Sequence, residues 1–385
     1  MSKKLKILMV APQFYPMTGG YEIAALRLSR ALVQRGHTVE VVTEQRNKKW
    51  KKYEVLDGVI INRIFSVYKK KIHQLSFNSS LISFLLVRGR KFDVFHLHQY
   101  GLTSAIVILV AKLMKKKVVL KTTSTGSMGI MNVFNDYKVK NMLEKSFYGI
   151  DGFIATSKSA VNEIKKIGIS QDKIFMIPNG VDENIFIPLS LEEKIAIREK
   201  LKLNRDVFTA IYCGRLSNAK NPLGVIDAWK KVLDKIPSAI LLIVGDGEEK
   251  EKFLEKIKKY KLNENIIFWG LQENTVKYYQ VSDIFLLPSK MEGLSNAMLE
   301  ALSCGLPVVS TKVSGSIDIL EQYNSGKIVN IDDMESFADE IIYLYYNRKE
   351  RILMGKNARK FISDNISLSS VAEKTEKLYF KLLFD

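Results

Sequence analysis

Two carboxylates and two bases stand where chemistry is possible. Glu292 lies in a polar loop after an apolar run that ends at Pro288, and Glu300 follows with seven residues between them. A short helix pattern carries Ala297, Met298, Ala301 and Leu302, and Glu300 is expected two turns along that helix. Ser295 fits the N-cap of that helix, which leaves free N–H groups and the positive helix end facing the loop. An anion site beside Glu292 is the chemistry this arrangement offers. Arg215 and Lys220, in the stretch GRLSNAKNP, follow the strand-like run TAIYC and suit a clamp on a diphosphate; a solvated basic loop is the alternative. In VGDGEE, Gly245 and Gly247 permit close backbone approach, while Asp246 is expected only to cap the next helix. Gly270 ends another strand in the same manner. Near the start, Gly19 and Gly20 precede a helix pattern and bring backbone N–H groups against an anion, or simply make a tight turn. A carboxylate such as Glu300 takes ribose hydroxyls and Glu292 sugar hydroxyls, so the implied ligand is a sugar nucleotide.

Positioning these residues takes alternating strands and helices. Residues 286–311 read as strand, loop, helix and strand, with Gly305 just past the helix end and Pro307 barring its continuation. Buried-strand runs recur at Lys6–Val10, 39–43, Val59–Ile64, Val94–Leu97, 118–120, Gly152–Ala155 and 174–177. After a connector at 182–191 they resume at Thr209–Cys213, Ile240–Val244, 266–269, Ile284–Leu287 and 308–310. Helices are predicted between them, at 224–233 and 248–260 for example. At 385 residues the chain exceeds one ordinary core. The expected fold is α/β: two Rossmann-like doubly wound domains, 1–182 and 183–366, facing each other across a cleft. Residues 367–385 form a C-terminal helix expected to pack back on the first domain.

The charge is one-sided. Residues 1–180 hold 30 Lys and Arg against 11 Asp and Glu, whereas residues 181–385 hold 29 against 30. The first half therefore expects an anionic partner. Its clusters are Lys48-Lys49-Lys51-Lys52, Lys69-Lys70-Lys71, Arg88-Arg90-Lys91 and Lys115-Lys116-Lys117, with Trp50, Tyr53 and Tyr68 adjoining. That mixture suits an anionic membrane surface; without a zinc spacing or nucleic-acid module, nucleic acid is not expected. The apolar run after the basic opening is too short for a signal peptide, and residues 102–114 fall short of the roughly 20 residues of a spanning helix. A cytoplasmic protein, peripheral on the inner face of the cell membrane, is the expectation. Cys213 and Cys304 sit in apolar contexts and read as small buried residues. Of the four histidines, His37 reads as structural and His73 as part of a basic loop. His96 and His98 end a strand at the cleft edge, with His98 placed to touch a ligand.

Seven segments together carry a resemblance: YPMTGGYE with GHTVEVVT, FDVFHLH, IPNGVD, GRLSNAKNP, VGDGEE, and SDIFLLPSKMEGLSNAMLEALSCGLPVVST. The chain resembles the retaining glycosyltransferases of family 4 (glycosyl transferases group 1), which have the GT-B fold. The resemblance implies transfer of a hexosyl or N-acetylhexosaminyl group, with retention, from a nucleotide-diphosphate sugar, by family weight a UDP-sugar. The acceptor it implies is a glycolipid or surface polysaccharide, held by the first domain while the second holds the donor. Residues matching Arg215 and Lys220 neutralise the departing diphosphate, and Glu292 lies by the donor sugar. Backbone groups of Gly293, Leu294, Ser295 and Asn296, and of Gly19-Gly20, take the phosphates; Gly245 and Gly270 line the donor side, and Glu300 binds the ribose. No metal or other cofactor is expected, since basic residues and helix ends do that electrostatic work. The mechanism implied is a front-face displacement with no protein nucleophile.

One departure bears on activity. Many members carry a His where Thr125 stands, in the hydroxyl row Thr122, Thr123, Ser124, Thr125. His98 and Thr125 are thus the acceptor-side candidates. Two alternatives follow: the same chemistry on a soluble small acceptor, or a weakened sugar-nucleotide-binding subunit.

Overall fold

A computed structural model describes residues 3–17, 19–67, 69, 72–122 and 140–385. Thr125, with Thr123 and Ser124, lies outside the described residues, as do Tyr68, Lys70 and Lys71. The chain divides into two compact units, Met1–Gly180 with Leu368–Asp385, and Val181–Ser367.

The first unit is built on an eight-stranded sheet: β1 (Lys6–Val10), β2 (Thr38–Glu44), β3 (Tyr53–Leu56), β4 (Val59–Ile64), β5 (Val94–Leu97), β6 (Lys117–Lys121), β7 (Gly152–Ala155) and β8 (Ile174–Met176). Their order is β3-β4-β2-β1-β5-β6-β7-β8. All pair in parallel except β3, which runs antiparallel to β4 across a turn at Asp57 and Gly58, both with positive φ. The central strands are apolar on both faces, Ile7, Leu8, Met9, Val41, Val94, Phe95 and Val119 being fully buried, as a sheet covered on both sides requires. β1 is the switch point: chain order runs outward from it through β2 on one side and β5 on the other.

The terminal helix Leu368–Phe384 belongs to this unit and packs on helix Gly20–Gln34. Its Glu376 carboxylate pairs with Arg35 and lies 2.8 Å from His37 Nε2, while His37 Nδ1 accepts the Leu5 N–H. His37 is a structural clasp. His73, by contrast, is not in a loop: it opens helix His73–Arg88 and faces Glu44 at 3.1 Å.

The second unit has six strands, all parallel: β9 (Thr209–Cys213), β10 (Ile240–Val244), β11 (Ile266–Gly270), β12 (Ile284–Leu287), β13 (Val308–Thr311) and β14 (Gly326–Val329). Their order is β11-β10-β9-β12-β13-β14, the doubly wound pattern whose ligands sit where the order reverses, between the first and fourth strands. Helix Pro222–Lys235 buries Trp229, Val225 and Val232 against this sheet. Asn221 caps that helix from a left-handed conformation, and Pro222 follows at the first helical position. Helix Asn296–Ser303 ends at Cys304, with Gly305 at φ +77 beyond it. Both cysteines are free thiols. No described helix is long and apolar enough to cross a membrane.

The basic clusters are partly neutralised on folding. Glu40 pairs with Arg88 and Lys91, and Asp151 with Lys112 and Lys117. Trp50 lies half-buried under the Arg63 guanidinium, 5.8 Å from ring centre to Cζ, rather than standing free beside its lysines.

Candidate functional site

β9 and β12 are parallel neighbours, paired at Ala210–Ile284 and Ile211–Phe285. The loops that leave their carboxyl ends are therefore adjacent, although β10 and β11 intervene in the chain. Backbone bonds stitch these loops together: the N–H groups of Lys290 and Met291 both donate to the Ala219 carbonyl, at 2.9 and 3.2 Å. The stitch sets Lys220, next to Ala219, against Glu292, next to Met291, and their side chains form an ion pair. Both are half-buried. Burial first, then the charge of Arg215, brings the Lys220 ammonium down to about 8 from the usual 10.5. The guanidinium of Arg215 itself is exposed and has no ion-pair partner among the described residues. Two cations and one carboxylate thus meet at the switch point, a cluster of net positive charge.

A helix start completes this edge. Helix Asn296–Ser303 is capped by Ser295, whose hydroxyl accepts the Met298 N–H at 3.3 Å, so the backbone of Gly293, Leu294, Ser295 and Asn296 runs directly into the positive helix end. The Gly315 N–H donates to the Gly293 carbonyl at 2.7 Å, and a Cβ on Gly315 would fall 2.3 Å from that oxygen. Thr311 fixes the base of the loop, its hydroxyl donating to the carbonyls of Leu287 (3.2 Å) and Ser289 (2.5 Å).

Glu300 is the fifth residue of its helix, one turn rather than two from the start, and is buried. The Tyr279 hydroxyl donates to it at 2.9 Å. Burial and then Glu300 push the Cys213 thiol, at the end of β9, up to about 12, which keeps it protonated and unreactive. Tyr279 is a partner of Glu300 that the sequence does not single out, since in the stretch KYYQVSD it reads as core.

The glycines have a more local explanation than ligand approach. Gly245, at φ +139, lies so close to the preceding loop that a Cβ would sit 1.9 Å from the Gly214 carbonyl oxygen. A Cβ on Gly247 would lie 2.4 Å from the Leu216 oxygen. The Gly245 N–H donates to Gly270, itself at φ +63, so β9, β10 and β11 are locked at this edge. Asp246 does not cap the following helix, whose N-cap is Glu249; it accepts the Gly247 N–H and pairs with Lys250.

In the first unit Gly19 is the N-cap of helix Gly20–Gln34. The Glu22 carboxylate folds back over it, 2.1 Å from where a Cβ would stand, so the chain's own anion occupies this helix start. His98 follows β5 and is buried. Its ring stacks on His96 with centroids 4.7 Å apart, and His96 Nδ1 meets the Tyr379 hydroxyl at 2.5 Å. Among the described residues no three His, Cys, Asp or Glu side chains gather to hold a metal ion.

The comparisons agree with this architecture. The family described as Glycosyltransferase Family 4 matches residues 18–185, and the one described as Glycosyl transferases group 1 matches residues 193–361, together most of the chain. The N-acetyl-alpha-D-glucosaminyl L-malate synthase of Bacillus anthracis is 24% identical over 375 residues, covering 96% of either chain. An Escherichia coli UDP-Gal:alpha-D-GlcNAc-diphosphoundecaprenol alpha-1,3-galactosyltransferase is 27% identical over 402 residues, covering 99% of this chain and 98% of its own. Among solved structures, Anabaena HepE in complex with UDP and glucose superposes with a TM-score of 0.81 at 16% identity, over 98% of this chain and all of that one. With both halves matched by that family's two models and the two parallel sheets in place, the chain belongs to the family 4 glycosyltransferases of GT-B fold.

Proposed function

We propose that the chain transfers a hexosyl or N-acetylhexosaminyl group, with retention, from a UDP-sugar to a glycolipid or surface-polysaccharide acceptor. The observation that carries the donor side is the Lys220–Glu292 pair at the switch point, with Arg215 beside it and the Asn296–Ser303 helix start in the next loop. A sugar diphosphate entering here meets two cations and the positive end of that helix, and its charge grows as the glycosidic bond breaks. Preorganised donors aimed at that developing charge lower the barrier. Glu292, drawn off Lys220 by the competing phosphate, then accepts a sugar hydroxyl. Glu300, held by Tyr279, takes the ribose. The acceptor hydroxyl attacks the anomeric carbon on the face the diphosphate leaves; the departing phosphate oxygen receives its proton, so no protein nucleophile is required. No metal or other cofactor enters this reading.

The lipid-linked acceptor draws support from the basic first half and from the name of the E. coli relative. The B. anthracis relative's name favours the second reading, a small soluble acceptor. A panel of nucleotide sugars screened by thermal shift, then assayed for transfer to lipid-linked and soluble acceptors, tests both. Donor binding without transfer or hydrolysis across the panel would favour a weakened binding subunit. Flotation with anionic liposomes at low salt tests membrane attachment, and absence of binding there sinks it.

A further inference from the structure

Lys121 ends β6 with 2% of its surface exposed, and no carboxylate pairs with it among the described residues. Burying an ammonium without a counter-charge is strongly unfavourable. Beside it stands a second anomaly. β5 and β6 are parallel neighbours with Leu97 opposite Leu120, so the next positions, His98 just past β5 and Lys121 as the last residue of β6, fall side by side at that edge. His98 is 1% exposed, and both of its ring nitrogens lack a hydrogen-bond partner. Buried polar atoms are nearly always paired, and an orphan needs an explanation. The two sit next to the switch point of the first sheet, where open α/β sheets bind ligands.

The sign of the missing partner follows from chemistry. Burial, then the Lys121 charge, brings His98 down to about 3, so near neutral pH its ring is uncharged and keeps one N–H to donate. Burial brings Lys121 down to about 8, which leaves it mostly an ammonium with three donors. His96 stacks on His98 and is tied to Tyr379, which fixes the imidazole plane. Thr122 is spoken for, its hydroxyl donating to the Ile154 carbonyl. The Lys121 ammonium and one His98 N–H therefore stand as unpartnered donors beside a single neutral ring nitrogen, with no anion among the described residues to offset the charge.

We propose that Lys121 and His98 form an anion-binding pocket that takes a carboxylate or phosphate carried by the acceptor. This rests on the transferase reading and narrows it: the acceptor is an acid, either a soluble one or a lipid phosphate. A neutral glycan is not what this edge is built for.

The test uses the full chain with lysines labelled at 13Cε, the Lys121 signal being assigned by its loss in Lys121→Met, or in Lys121→Arg should the first variant fail to fold. Inorganic phosphate, succinate and vesicles containing phosphatidic acid are added in turn, with chloride at matched ionic strength as control. The expected result is a saturable shift of that signal and a titration midpoint raised above about 8. Loss of one charge-assisted hydrogen bond in His98→Ala should weaken the response about tenfold or more. Response to the two small anions alone assigns a soluble acid, and response to vesicles alone a lipid phosphate. A Lys121 signal moved by none of the three overturns the inference. Donor affinity, measured in the same samples, separates the two readings: intact donor binding with a silent Lys121 leaves the transferase standing, and an anion response without donor binding does the reverse.

Discussion

Lys220 and Glu292, 72 positions apart in the chain, are joined as an ion pair between two loops that only the strand order makes neighbours. The resting site thus holds its own cation in check. On the donor-binding proposal a diphosphate competes with Glu292 for Lys220, and Arg215, exposed and without an ion-pair partner among the described residues, is the cation left open to it.

Separating these roles takes three variants. Arg215→Ala and Lys220→Ala should each lower turnover about 10²–10³-fold, the range for one lost transition-state donor, with thermal stability nearly unchanged. Glu292→Gln should act differently, freeing Lys220 so that UDP or pyrophosphate binds several-fold tighter while turnover still falls. Calorimetry beside steady-state kinetics reads both. Wild-type rates in either alanine variant would refute the clamp.

Tyr279 and Glu300 make a second pair with a measurable signature. Tyr279→Phe removes the donor to a buried carboxylate and should destabilise the fold by about 1–3 kcal/mol. If Glu300 reads the ribose, the wild type prefers a ribonucleotide over its 2′- or 3′-deoxy analogue, and Glu300→Ala erases that preference. An unchanged preference removes Glu300 from the donor site.

Lys121 supplies a pH dependence. Its folded value, about 8, lies below the 10.5 of an unfolded lysine, so the unfolded state binds more protons between those values. Stability from this group therefore rises with pH across 8 to 10.5, by about 3 kcal/mol if the whole shift is realised. Lys121→Met should flatten that slope and be more stable than wild type near neutral pH. Urea melts of both proteins at pH 7 and pH 10 decide it; parallel curves would mean the amine is not desolvated as described.

Gly245→Ala tests the lock between strand-end loops. Its Cβ would meet backbone oxygen at 1.9 Å in a left-handed conformation, and a loss of about 3 kcal/mol is expected. Gly168→Ala is the control. Gly168 shares the positive φ, but only the Tyr148 hydroxyl lies near, at 3.9 Å, so about 1–2 kcal/mol is expected.

How much of this was open to the sequence follows from what each feature depends on. Buried parallel strands advertise themselves as short apolar runs, and β1, β5, β9, β10 and β12 are readable that way. β3 is half polar and lies at an edge, so periodicity misses it; the Asp57-Gly58 pair is nonetheless a hairpin signal. β14 is four residues long and mostly half-buried, with nothing to mark it. Within the site, residue types identify Glu292, Glu300, Arg215 and Lys220 as candidates. Their pairing depends on β9 lying beside β12, a relation no local pattern encodes. Lys121 looks like the polar end of a strand until its burial and lack of a counter-charge are visible.

The second unit begins at Val181 and ends at Ser367, and these two residues form a parallel bridge, with the Val181 N–H also donating to Ile366 at 3.3 Å. Its two ends therefore emerge side by side, so topologically it is an insert spliced into the loop before the last helix of the first unit. A simple cut after Gly180 does not liberate a complete first unit: it strips away Tyr379, Glu376 and Leu378 and bares the clasp around His37. A short linker from Gly180 to Leu368 would join that unit into one continuous chain, since the six-stranded sheet is, by its connectivity, an insert within it.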